Sequence, residues 1–203
     1  MNPATSVFDM YAEDYDRWFD THKEIFDNQL VLLRPLIISK GIGLEIGIGS
    51  GRFSVPLGIH YGLDPSVSLL SIAHQRGIES VVGTGESLPY RSGTFDQVLM
   101  MTVICFFTHL NRPFSEANRV LVWGGKLVIG FFDKDGELSL HEQERDPPGR
   151  FFQNAMFRTA DEIEDALVAS GFSSCIFLEN HQGFSVAVAR KTDYGSSKNR
   201  KGS

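Results

Sequence analysis

The stretch Gly43-Leu44-Glu45-Ile46-Gly47-Ile48-Gly49-Ser50-Gly51-Arg52-Phe53 constrains the fold more than any other part of the chain. It reads as a short buried strand that ends near an acid and runs into a glycine-rich turn. Glycine at alternate positions lets a backbone take positive φ and approach a ligand closely. A strand feeding such a turn, with a helix behind it, is how open α/β sheets build nucleotide sites at the carboxyl ends of their strands. The spacing narrows the ligand. The dinucleotide fingerprint G-x-G-x-x-G fails in both registers, because Arg52 follows Gly47 and Gly49 and Ile46 follows Gly41 and Gly43. The phosphate loop ends in Gly-Lys-Ser/Thr, which Arg52-Phe53 does not match. Glu45 beside the turn would repel a pyrophosphate and suit a cation.

Glu45-Ile46-Gly47-Ile48-Gly49-Ser50-Gly51 resembles motif I, E/D-x-G-x-G-x-G, of the Rossmann-like, class I SAM-dependent methyltransferases. Further segments match in the family's order. Tyr61-Gly62-Leu63-Asp64-Pro65-Ser66 resembles the second strand and its terminal acid. Gly83 to Tyr90 resembles the segment beside the adenine, and Ser92 to Leu99 the start of the fourth strand. Glu116 to Leu127 resembles the helix and turn before the fifth. The resemblance covers roughly residues 8 to 190 and is nearest to the small-molecule (type 11) methyltransferases, like those of quinone biosynthesis. It implies a three-layer, doubly wound α/β sheet with strand order 3-2-1-4-5-7-6, strand 7 antiparallel. The implied cofactor is S-adenosyl-L-methionine, which carries an ammonium and a sulfonium.

The same resemblance assigns roles. Glu45 faces the methionine end, while Ile46, Gly47, Gly49 and Gly51 pass beneath the cofactor. Asp64, with Pro65 and Ser66, accepts the ribose hydroxyls, although Asp-Pro-Ser would also serve as a turn or helix cap. Thr84, Gly85 and Glu86 lie beside the adenine. Thr84 departs from the family, replacing an acid with a hydroxyl that can still accept a hydrogen bond. Met101 and Thr102, followed by Val103, border the methyl group. No Asp/Asn-Pro-Pro-Tyr/Phe sequence follows them, which speaks against an amino-methylating nucleic-acid enzyme. Tyr11, Tyr15 and Trp18 lie on a helix that lids the cofactor or packs one apolar face on the core. Acceptor candidates are Trp18, Phe106, Phe107, His109, Phe132 and Phe152. An aromatic wall of Phe106 and Phe107 would attract a sulfonium, or merely pack a loop. His109 is a weak candidate for a general base. Asp133, His141, Arg150, Phe151 and Phe157 are further candidates for substrate contact.

Periodicity supplies the organisation. Phe8, Tyr11, Tyr15, Trp18, Phe19, Ile25 and Phe26 predict one helix over 8–33, with a break at Pro35. Strands are expected at 42–46, 59–63, 78–82, 95–101, 126–132, 174–178 and 184–190. Ser66 is expected to cap a helix ending at Gly77. A second helix is expected over 112–122, and Thr159 with Glu162 fits a capping box for another that ends at Gly171. Residues 133–158, with Pro147-Pro148-Gly149, read as a substrate-side excursion without regular structure. The expected organisation is one domain over 1–190, with 1–38 as a helical lid and 191–203 as a disordered or artificially appended tail.

Composition bounds the partners. The formal net charge is −6, and the basic cluster Lys198, Arg200, Lys201 lies in the tail, so a nucleic-acid substrate is disfavoured. No apolar run approaches the roughly 20 residues of a membrane helix. Cys105 and Cys175 lack metal spacing and read as buried thiols in strand-like runs, and no metal is expected. The expectation is a cytoplasmic monomer or homodimer. It would transfer a methyl group to a small molecule by in-line displacement, with position and electrostatics supplied by the protein. The alternative is a SAM-binding regulatory protein without turnover of its own.

Overall fold

The computed structural model describes residues 3–145, 147–179 and 183–192. Its seven strands form one sheet in the order β3-β2-β1-β4-β5-β7-β6. They are β1 (Gly43–Ile46), β2 (Tyr61–Asp64), β3 (Glu79–Val82), β4 (Phe95–Met101), β5 (Leu121–Phe132), β6 (Phe172–Glu179) and β7 (Phe184–Lys191). The first five pair in parallel, and β7 runs antiparallel to both β5 and β6. This is the order and the reversal that the resemblance implied.

Alternation along β4 builds the two helical layers. Val98 and Met100 pack with Phe114, Ala117, Ile163 and Leu167, from α6 (Asn111–Val120) and α8 (Ala160–Ala169). Leu99 and Met101 face Phe19, Leu30 and Leu33 on the other side. Those three come from α2 (Ala12–Thr21) and α3 (Lys23–Leu33), which follow α1 (Pro3–Met10). The one-turn helix α4 (Ser54–Leu57) closes the glycine turn, and α5 (Val67–Gln75) follows β2. Ser66 Oγ accepts from Leu69 N at the start of α5. The capping box of Thr159 and Glu162 opens α8.

Several expectations change. The single helix over 8–33 is three helices, broken at Tyr11 and His22. Near the second break Thr21 Oγ1 and His22 Nδ1 both bond the Trp18 carbonyl, and such local side-chain bonds compete with helix continuation. Strand β5 begins at Leu121, which pairs with Phe95, so Gly124-Gly125 forms an irregularity inside the strand rather than a turn before it. The excursion contains a further helix, α7 (Glu137–Glu144), made of good helix formers without an amphipathic pattern. Cys105 sits in a 3-10 turn rather than a strand, and Cys175 is half-buried; both are free. Lys191 belongs to β7 rather than to a tail, and residues 193–203 lie outside the described residues. Among the described residues no helix is long and apolar enough to cross a membrane.

Candidate active site

The glycine turn, the end of β2 and the end of β4 converge on a cavity of about 130 Å³. Its floor is Ile46, Gly47 and Gly49, and one wall is Asp64, Pro65, Ser66 and Leu69. Gly83, Thr84, Gly85 and Glu86 continue that wall. Met101, Thr102, Val103, Phe106 and Phe107 close the opposite end. Thr5, Phe8 and Tyr15, from the N-terminal helices, form the roof. No lysine, arginine or histidine is among these lining residues.

Gly47 shows why glycine is needed here. Its φ is +73°, and a Cβ would lie 2.4 Å from Val103 Cγ2. Gly58 has φ +70° but faces open space. Gly58→Ala therefore isolates the cost of the left-handed backbone, about 1–2 kcal/mol. Gly47→Ala adds overpacking of about 1–3 kcal/mol. Chemical denaturation should rank the two variants in that order, and equal losses would remove the steric argument.

Asp64 is the polar centre of the cavity. Its Oδ2 accepts from Gly49 N at 2.9 Å and its Oδ1 from Ser66 N at 2.8 Å. Burial pushes its pKa up to about 6; the two amides oppose that rise and Asp9 adds to it. Asp9, on α1, accepts from Ser66 Oγ and Ser68 N and so ties the roof to the start of α5. Burial works against its charge, but these bonds outweigh it and leave its pKa lowered.

Glu45 lies behind the floor, fully buried and hydrogen-bonded by Ser54 Oγ. Burial pushes its pKa up to about 8, the Ser54 bond opposes this, and Asp64 adds to it. Tyr15 lies against Gly49, and burial, then the Asp64 and Glu45 carboxylates, raises its pKa. Thr102, at φ 50°, is the one non-glycine with positive φ among the described residues. Strain of this kind collects where a chain must turn sharply at a site.

Helix α2 is held to the glycine turn by charge. Asp16 makes two bonds to Arg52 and two to Arg76, at 2.7–2.8 Å. Arg76 also donates to Ser50 O. Burial opposes the Asp16 charge, but the guanidiniums prevail and hold its pKa far below the usual carboxylate range.

The cavity thus gathers most of the residues expected at a cofactor site. Outside its lining are Glu45, Gly51, Tyr11, Trp18, His109, Phe132 and Phe152. Gly51 packs on Ala73 and Ile78, and Tyr11 lies under the Arg150 guanidinium. Trp18 stacks on His22. His109 is exposed beside Asn111 and Glu162. Phe132 and Phe152 line a small apolar space with Phe157 that shares only Thr102 with the cavity. In the excursion, Asp133 accepts from Ala160 N and His141 is exposed on α7. Thr5, Phe8 and Leu69 were not anticipated. Phe8 was readable, since it lies two turns before Tyr15 in the apolar pattern.

Comparisons with known proteins agree with this geometry. The profile of a methyltransferase domain matches residues 44–129. An uncharacterised protein of Methanocaldococcus jannaschii is 40% identical over 169 residues, 83% of this chain and 82% of that one. The chain spans 61% of the length of mycobacterial relatives that match it at 40% identity. A malonyl-[acyl-carrier protein] O-methyltransferase of Geobacter sulfurreducens is 28% identical over 186 residues, 83% of this chain and 69% of that one. A crystal structure from Thermotoga maritima superimposes with a TM-score of 0.85 at 30% identity, over 93% of this chain and 100% of that one. That protein is described as a SAM-dependent methyltransferase and a possible histamine N-methyltransferase.

Proposed function

The chain belongs to the class I SAM-dependent methyltransferases of the type 11 family, and on that footing we propose that its methyl acceptor is a small molecule. The observation that carries the reading is the part-open cavity at the ends of β1, β2 and β4. It is roofed by aromatic side chains and bordered by buried acids, and no cationic side chain lines it. A net charge of −6 also disfavours a polyanionic acceptor.

The residues present fit S-adenosylmethionine. Asp64 has an oxygen on each of two backbone amides, and their remaining lone pairs suit vicinal ribose hydroxyls. Gly85 lets backbone approach the adenine side, where a Cβ would meet Phe107 Cζ at 2.7 Å. Glu45, behind the floor, acts on the cationic methionine end through its field rather than by contact. Bound there, the cofactor would supply a methyl on sulfonium, an electrophile for an acceptor's lone pair with the neutral thioether as leaving group.

The chain's own contribution is placement. Thr102 and Val103 fix the wall at the end of β4, while Phe8, Phe106 and Phe107 exclude water. Alignment alone can lower such a barrier by several kcal/mol. His109 lies outside the cavity, so no base is assigned.

Calorimetry with S-adenosylhomocysteine tests the cofactor site, and saturating binding in the micromolar range is expected. No heat at millimolar ligand would sink the site assignment. Labelled methyl transfer to a metabolite extract, with tRNA and protein fractions beside it, tests the acceptor class. Label confined to the macromolecular fractions would overturn the small-molecule reading.

A further inference from the structure

An open groove of about 320 Å³ lies outside the roof, lined by Asp14, Arg17, Trp18 and Thr21 of α2 and by Arg150 and Phe151. Its charges do not balance. Asp14 Oδ1 is 3.3 Å from Arg17 Nη1, and its Oδ2 is 3.2 Å from Arg150 Nη1. One carboxylate therefore serves two guanidiniums, and the other lining residues carry no charge. The groove keeps one unit of positive charge, on a chain whose formal net charge is −6. Arg150 is held in place by the Tyr11 ring, 4.3 Å from its guanidinium carbon.

The groove is one ring away from the cofactor cavity. Phe151 stacks on Phe8 at 5.3 Å and meets Tyr15 edge-on at 5.4 Å. Phe8 and Tyr15 both line the cavity. Movement of the Phe151 ring would join the two spaces.

We propose that this groove is the outer subsite for the methyl acceptor, and that it takes a molecule carrying a carboxylate on an apolar body. The carboxylate meets Arg17 and Arg150, the apolar body packs on Phe151, and the far end, which carries the lone pair to be methylated, reaches towards Thr102 and Val103. A carboxylate is a monoanion that matches the single residual charge, whereas a phosphate monoester carries nearly twice as much. The planar guanidinium also suits a carboxylate geometrically. The subsite rests on the methyltransferase reading above. The sign of the subsite is opposite to that of histamine, which is cationic at neutral pH.

The test uses phenylbutyrate, phenylbutanol and phenylbutylamine, titrated at low salt into protein saturated with S-adenosylhomocysteine. The acid should bind about three- to fivefold tighter than the alcohol, the size of an exposed ion pair. The amine should be weakest. In the double variant Arg17→Gln, Arg150→Gln, Asp14 is left alone and the order should invert, with affinity for S-adenosylhomocysteine within twofold of the parent. Equal binding of the three probes, no binding by any, or an unchanged order in the variant would each overturn the subsite. Failure of the parent protein to bind S-adenosylhomocysteine would instead remove the cofactor reading.

Discussion

Asp64→Ala is expected to weaken S-adenosylhomocysteine binding by at least about a hundredfold. Three losses combine. The buried Gly49 and Ser66 amides lose their acceptor, at about 1–3 kcal/mol for each unsatisfied group. The ribose hydroxyls lose theirs as well. The turn that Asp64 bridges, from Gly49 to Ser66, also loses its common anchor. Asp64→Asn separates these effects, because it keeps one carbonyl acceptor, and an intermediate affinity is expected. Calorimetry gives the affinities, and thermal melts show how much of the loss is folding. An alanine variant that binds within threefold of the parent would refute the ribose role.

Affinity for S-adenosylmethionine should rise as pH rises between about 6 and 8, the raised values of Asp64 and Glu45. Both acids ordinarily ionise near 3.8 and 4.5, so across this window the free protein still holds protons that an unfolded chain has lost. The stability of the free protein therefore falls as pH rises from near 4.5 through about 8. A bound cation favours the charged carboxylates, draws their pKa values down and expels protons. Each proton released steepens the affinity by up to about tenfold per pH unit. The demethylated product lacks the sulfonium charge, so its slope should be shallower. Glu45→Gln should flatten the upper half of the profile. Titrations in buffers of different ionisation enthalpy count the protons; an affinity for S-adenosylmethionine that is flat across the window would contradict this coupling.

What could be read in advance was local. Ser66 as a cap and the Thr159–Glu162 box are bonds between neighbours in sequence, and the alternation of apolar runs with helices dictates a parallel sheet. The position of Asp64 at a strand end was legible for the same reason. The roof was not. Helix α1 is tied to the start of α5 by Asp9, which accepts from Ser66 Oγ across 57 residues, and α2 reaches the glycine turn through Asp16, which finds Arg76 across 60. No periodicity encodes such pairings. The break at His22 was hidden too, since it depends on two side chains bonding the Trp18 carbonyl. Helix α7 escaped because its residues favour helix without marking an inward face.

The roof also sets a clock. A cavity of about 130 Å³ is smaller than the usual ligand pocket of roughly 300–1,000 Å³. A nucleoside with an amino-acid tail that fills more than this part-open space displaces Phe8 and Tyr15. They leave with helices that Asp9 and Asp16 hold through six hydrogen bonds. The lifetime of the bound product is then governed by how often those carboxylates let go together, so turnover would be paced by departure rather than by methyl transfer.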